Sequence, residues 1–320
     1  MTFPGSFKDH ILPDKVHVLS VSFLFDSMRR HRGGVAGNIA YNLALMGEPP
    51  TVAGAGGSDF QSYRMAFERL DIDMSLVVDV ADELTGSAFM TTDLDNNQIA
   101  GFFPGASSHA GAISVTEVAA GARAGVVGAT TPEAMRRHVT EMAGAGCPVL
   151  YDPSQQVVAL TAEDLAAGIE AAWAVAGSDY ELAIMSQKTG IGVDELARRV
   201  PLLITTYGEQ GSELRAGGEI TRIPAVPAEP LIDPTGGGDA YRAGLLKGLL
   251  CGFDLTVSGR LASLAATYAV ERRGTQEHGY SPEEFVARFD RAFPGESGVI
   301  EAGVLRHAAP KTAALGGLSL

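Results

Sequence analysis

Apolar residues along this chain repeat with two periods, and the two periods alternate. Ala36, Ile39, Ala40, Leu43 and Ala44 fall at i, i+3, i+4, i+7 and i+8. That is one face of a helix that begins just after Gly33-Gly34 and is closed by Gly47. Leu245, Leu246, Leu249 and Leu250 repeat at the same spacing. Helical spacing also covers residues 60–70, 132–144, 163–175 and 257–271. Short apolar runs of strand length lie between: 50–59, which ends in glycines, then 125–128, 148–152 and 202–211. Residues 16–25 are β-rich and predict a long strand or a strand pair. Residues 86–103 predict a hairpin turning at Asp95-Asn-Asn97, and Gly217-Gly218 predicts a second hairpin turn. Phe89 and Phe103 each stand seven residues from Asn96, so a symmetric hairpin sets them opposite or nearly so on one face. From 115 to 199 the two periods alternate, which implies a mainly parallel central sheet covered by helices on both faces. The fold class is therefore α/β.

Composition narrows this picture. With 320 residues, 46% of them hydrophobic, the chain can bury one large α/β core with a small appendage. No apolar run reaches the ~20 residues a membrane helix needs, and the first residues lack the basic-then-apolar pattern of a secretory signal. A net charge of −14 argues against nucleic acid or an anionic membrane as partner. Any polyanion must be held locally, by amides, a few cations and a metal. Cys147 and Cys251 form no CxxC pattern and fit a reducing cytoplasm. The histidines show no HExxH spacing. Residues 308–320 read as a loose tail.

The candidate chemistry gathers at Asp233-Pro-Thr-Gly-Gly-Gly-Asp239, just ahead of the leucine-striped helix. Three bare glycines at a helix N-terminus leave backbone amides free for an anion. Asp239 at the mouth of that anion site is poorly placed to bind a phosphate. It is well placed to take a proton from a hydroxyl attacking one. The bland reading makes Asp239 a plain helix-start carboxylate. A second glycine pair, Gly33-Gly34, with Asn38 one turn on, allows a ligand to approach the backbone and bond the Asn38 amide. A dinucleotide fingerprint at 54–59 fails, because Asp59 stands where GxGxxG requires glycine.

These strings resemble the signatures of the ribokinase-like (PfkB) kinases. Gly236-Gly-Gly-Asp239 resembles GAGD, with Gly237 in place of the usual small residue, and Gly33-Gly34…Asn38 resembles GGxxxN. Ser178-Asp-Tyr-Glu181 is similar to NxxE, with Ser178 for the asparagine, and Thr206-Tyr-Gly-Glu-Gln-Gly211 is similar to the nucleotide-contact segment VTxGxxG. Further strings look like the bacterial adenosine kinase branch: Phe3-Pro-Gly5, 31–38, Phe103-Pro-Gly-Ala106, Asp152-Pro-Ser-Gln-Gln156 and Gly274-Thr-Gln-Glu277. The resemblance implies a three-layer α/β/α ribokinase-like fold with a small β lid. Residues 1–8, 33–84 and 105–307 would form the core, 9–32 and 85–104 the lid, and 308–320 a flexible tail.

It also implies roles. Asp239 is the catalytic base, with Gly236, Gly237 and Gly238 holding the transferring phosphoryl charge. Gly33, Gly34 and Asn38 hold the acceptor sugar, and Phe89 and Phe103 sandwich its purine. Ser178, Glu181, Thr206, Gly208 and Gly211 meet the nucleotide. Glu181 organises Mg²⁺ through water, a role weighed equally against plain helix capping, and Asp233 and Thr235 flank a monovalent cation such as K⁺. The implied activity is ATP-dependent phosphorylation of a nucleoside 5′-hydroxyl, adenosine foremost, in a cytoplasmic enzyme that pairs through its lid. A PfkB-type sugar kinase and a degenerate nucleoside-binding protein are the alternatives. The departure lies at the start. Such kinases open with a strand GSxxxD whose aspartate holds the ribose, whereas here Phe3-Pro-Gly5 follows Met1-Thr2 directly, and Asp26 comes too late to be that residue. Either the start lies upstream, the favoured reading, or the chain is short with a gapped sheet and altered ribose binding.

Overall fold

The computed structural model describes residues 1–11, 21–95, 98–309 and 315. Its first half runs α1 (Val35–Leu45), β1 (Thr51–Gly57), α2 (Gln61–Glu68), β2 (Asp73–Val80), β3 (Ser87–Thr92), β4 (Gln98–Phe103), α3 (Thr116–Ala119), β5 (Gly125–Val127), α4 (Pro132–Gly144) and β6 (Val149–Tyr151). The second half runs α5 (Ala162–Ala171), β7 (Ala174–Ser178), α6 (Asp179–Thr189), α7 (Val193–Arg199), β8 (Leu202–Thr206), β9 (Ser212–Ala216), β10 (Glu219–Ile223), α8 (Gly237–Leu250), α9 (Leu255–Val270) and α10 (Pro282–Ala292). No described helix is long and apolar enough to cross a membrane.

Six strands form the central sheet in the order β10-β9-β8-β7-β6-β5. Strands β5 to β8 are parallel, and β9 and β10 turn back antiparallel. Strand alternation sends side chains to two cores. Leu150, Ala174, Ala176, Leu202 and Ile204 meet Leu245, Leu246 and Leu249 of α8 and Ala262 of α9. Val149, Tyr151, Val175 and Leu203 meet Met135 and Val139 of α4, Leu165 and Ile169 of α5, and Leu182 of α6. These are the three layers. Helices α8 and α9 approach closely because Gly244 and Gly248 lie one turn apart on the contact. A Cβ on Gly244 would stand 2.7 Å from Ala262 Cα, and one on Gly248 2.6 Å from Ser258 Cα.

Several expectations change. The helix read over 163–175 stops at Ala171, and Ala174–Ser178 is a strand. A strand buried on both faces carries a continuous apolar run, which periodicity cannot separate from a buried helix. Of the β-rich stretch 16–25, residues 16–20 lie outside the described residues, and 21–25 form no strand. Strand β2 pairs in parallel with β1 as a separate two-stranded sheet. The free sides of β1 and β5 have no ladder partner among the described residues. Residues 1–3, assigned to the core by sequence, meet the β3–β4 hairpin: Thr2 bridges both Ser27 and Thr92. Nor is the stretch from 308 wholly loose. Ala309 and Leu315 are buried against the α8 side of the sheet, and Ala309 N donates to Glu48 Oε1 at 2.8 Å, the oxygen that also takes a 2.6 Å bond from buried Lys247 Nζ.

Candidate active site

The N-terminal end of α8 is built by its loop. Asp233 accepts from Thr235 N through Oδ1 at 3.0 Å and from Gly274 N through Oδ2 at 3.1 Å. Both oxygens thus serve the loop at the place where sequence expected a monovalent cation. Gly236 caps the helix at φ 83°, a left-handed conformation glycine adopts without steric cost. A Cβ there would also stand 2.9 Å from the Thr275 side chain. The Gly237 amide turns back to the Pro234 carbonyl at 3.3 Å. The amides of Gly236, Gly238 and Asp239 have no hydrogen-bond partner among the described residues. Of the three glycine amides that sequence expected to be bare, that of Gly237 is taken, and the Asp239 amide is bare beside those of Gly236 and Gly238.

Asp239 sits on the first turn of α8 and is held from α1. Asn38 Nδ2 donates to Asp239 Oδ2 at 2.8 Å. Asn38 is only 4% exposed, and its Oδ1 faces Thr275 Oγ1 at 2.8 Å and Gln276 Nε2 at 2.9 Å. Gln276 Nε2 also faces the Tyr63 hydroxyl at 2.8 Å, which donates to the Gly33 carbonyl at 2.9 Å. Four segments thus converge on one carboxylate: α1 with its glycine pair, α2, the 274–276 loop and α8. Sequence assigned Asn38 to a sugar hydroxyl; here one of its two Nδ2 hydrogens goes to Asp239, and the other has no partner among the described residues. Gly34 opens α1 at φ 94°.

Burial is the largest influence on the Asp239 carboxyl and pushes it up to about 6. The Asn38 hydrogen bond and the Arg242 charge pull it down, while Asp152 and Glu181 push it up. The residue as a whole is half-buried and not sealed off. A carboxylate that titrates near neutrality and can be reached by a hydroxyl is suited to accept its proton.

The carboxyl ends of the parallel strands supply the rest of the rim. Ser178 and Thr206 are paired across β7 and β8, and Asp152 follows β6 directly. Ser178 and Glu181 close a capping box: Glu181 N donates to Ser178 Oγ at 3.2 Å, and Ser178 N to Glu181 Oε2 at 2.8 Å. The capping geometry is formed, and among the described residues Glu181 Oε1 meets only Ser154 Oγ, at 3.4 Å. Gly208 and Gly211 turn β8 into β9, at φ 59° and 91°. A Cβ on Gly211 would clash with the Ile223 carbonyl, 2.1 Å away.

The β3–β4 hairpin differs from expectation by one step of register. Phe89 pairs with Gly101, and Phe103 with Ser87. The two rings therefore share a face as diagonal neighbours and do not stand opposite each other, because the turn centres one residue earlier than Asn96. They are 48% and 44% exposed, so the hairpin keeps them out of any core.

Sequence reasoning passed over Arg242 and Tyr63, and it singled out Gly274-Thr-Gln-Glu277 without foreseeing that Thr275 and Gln276 hold Asn38. Arg242 is 5% exposed and forms an ion pair with Asp152, which is 1% exposed. Its signal was an arginine in a mostly apolar helix, one turn after Asp239. The 274–276 loop was marked by its resemblance, but not its bonds to Asn38, which lies more than 200 positions away.

Comparison with known proteins agrees with this geometry. The model of the pfkB family carbohydrate kinases matches residues 9–282. A nucleoside kinase of Methanothermobacter thermautotrophicus is 32% identical over 266 residues, covering 82% of this chain and 85% of that protein. The structure of Burkholderia thailandensis nucleoside kinase with inosine is 40% identical, superposes with a TM-score of 0.83, and covers 92% of this chain and 94% of its own. The same protein with ADP and inosine gives a TM-score of 0.81 at 42% identity, with 92% of each chain covered. The chain belongs to the pfkB family of carbohydrate kinases, and it is an enzyme that phosphorylates a hydroxyl group.

Proposed function

We propose that this kinase transfers the γ-phosphoryl group of ATP to the 5′-hydroxyl of a purine nucleoside, adenosine or inosine, in the cytoplasm. The observation that carries the reading is the carboxylate of Asp239, held by Asn38 beside the unpartnered amides of Gly238 and of Asp239 itself. Asp239 takes the hydroxyl proton as the oxygen attacks, and the amides stabilise charge on the group in transfer. Phe89 and Phe103, on one face of a hairpin, offer rings on which a flat base can stack. Support for a nucleoside acceptor comes from the relatives, named nucleoside kinases, one of them solved with inosine. Among the described residues no cluster of His, Cys, Asp and Glu could hold a metal alone. Glu181 Oε1, met only by Ser154 Oγ at 3.4 Å among the described residues, would hold Mg²⁺ through water, and the ion would neutralise phosphate charge.

A panel of adenosine, inosine, ribose and fructose with ATP, read as ADP release, tests the acceptor. Activity confined to the free sugars would reject the nucleoside reading. Asp239→Asn should keep the fold and lose nearly all turnover; a variant that retains most of its activity would reject Asp239 as the base.

A further inference from the structure

The guanidinium of Arg242 is committed on two sides and open on the third. Arg242 lies three residues after Asp239, in the second turn of α8, and is 5% exposed. Its Nη2 donates to Asp152 Oδ1 at 3.2 Å, and its Nε is in ion contact with Oδ2 without hydrogen-bond alignment. Nη1 has no hydrogen-bond partner among the described residues. It stands 2.5 Å from where a Cβ on Gly238 would be, against the backbone of the first turn of α8. A charged side chain buried this deeply normally has its donors satisfied. Here the open Nη1 lies beside Gly238, which with Asp239 has an amide without a partner among the described residues.

The charges around it point the same way. Burial by itself would loosen the proton on Arg242, but the carboxylates of Asp152, Asp239 and Glu181 outweigh it and raise its pKa. One cation therefore stands among three carboxylates. An incoming triphosphate would meet net negative charge on this side unless a fixed cation faces it.

We infer that Arg242 Nη1 donates to a non-bridging oxygen of the phosphoryl group in transfer, and that Asp152 is the positioning residue that aims it. This rests on the kinase reading above. In that step the acceptor oxygen bonds to the γ-phosphorus, its proton passes to the Asp239 carboxylate, and the bond to the β-phosphate oxygen breaks to release ADP. The three equatorial oxygens carry the charge in between. A guanidinium locked by its carboxylate meets that charge without reorganising. Only a planar fork can grip Asp152 with one edge and present donors with the other, so lysine cannot replace it.

The test uses two variants of the full chain. Arg242→Lys keeps a cation against Asp152, and the pair Arg242→Gln with Asp152→Asn removes both charges together. Thermal unfolding reports the fold of each. Turnover, KM for ATP and inosine, and inhibition by ADP with aluminium fluoride, a mimic of the group in transfer, are then measured. Both variants should lose about 100-fold or more in kcat. Inosine KM should stay within a few-fold of the parent, and the aluminium fluoride inhibition should weaken in parallel with kcat. A folded variant with near-parental kcat, or one whose loss lies wholly in KM, overturns the assignment. A parent that phosphorylates no acceptor removes the kinase reading and this one together, whereas an active parent with unaffected variants removes this one alone.

Discussion

Replacing Asn38 by leucine separates two roles that the sequence could not distinguish. Leucine has nearly the same volume but can neither donate to Asp239 nor accept from Thr275 and Gln276. A hydrogen bond to a charged group is worth about 1.5–3 kcal/mol, and about 1.4 kcal/mol corresponds to one pH unit. The lost bond is the 2.8 Å contact from Asn38 Nδ2 to Asp239 Oδ2, which pulls the carboxyl down against the burial that pushes it up to about 6. The sign is fixed: removing a donor to the ionised form raises the pKa further, by about one unit with some replacement by water. At pH 7 the ionised fraction of the base then falls from about nine-tenths to about half. The assay is kcat/KM against pH for parent and variant, with ATP saturating. The parent's acid limb should lie near pH 6, set by the free enzyme's Asp239. The variant's should lie about one unit higher, with much of the activity recovered at pH 8 and above. Stability should also fall by about 1–3 kcal/mol, since a buried Gln276 N–H loses its acceptor, whereas the Thr275 hydroxyl keeps the Arg32 carbonyl. An acid limb that stays in place while KM for the nucleoside rises many-fold would refute this reasoning and return Asn38 to the sugar.

Two further outcomes follow from the geometry. Phe103→Ala should raise KM for a purine nucleoside by about 5- to 100-fold, the range of one lost stacking partner, while ATP KM stays near the parent's; an unchanged nucleoside KM would remove the base slot from the lid. His278 is buried with Nε2 facing Asn42 Oδ1 at 2.9 Å, and burial, with Arg272 nearby, pushes its pKa down to about 4. The unfolded state therefore binds the proton first, so stability should be full above the unfolded value of ~6.5 and drop by up to about 3 kcal/mol as pH falls toward 4. Chemical denaturation at pH 4.5 and 7 measures this, and His278→Gln should flatten the dependence.

The sequence by itself determined the elements whose cause is local. The helix over 132–144 has its proline at the first position and a threonine cap, and it forms as read. Glycines at 236 and 34 mark helix starts that need a positive φ, and the alternation of periods dictated a parallel sheet between helix layers. The position of Asp239 at an amide-lined helix start was legible for the same reason: three glycines and an acid are neighbours along the chain. The tertiary structure alone decided what depends on contacts between distant segments. Whether 174–178 is helix or strand was settled by the space between β6 and β8, because an apolar run satisfies either geometry when both faces are covered. Asn38 became a partner of Asp239 because α1 and α8 pack side by side, 201 residues apart in the chain. Arg242 is a held cation and not a surface arginine because β6 delivers Asp152 beneath it. Periodicity records which face of an element is buried, but not which partner buries it, and in this protein the partners decide the protonation and aim of the acid.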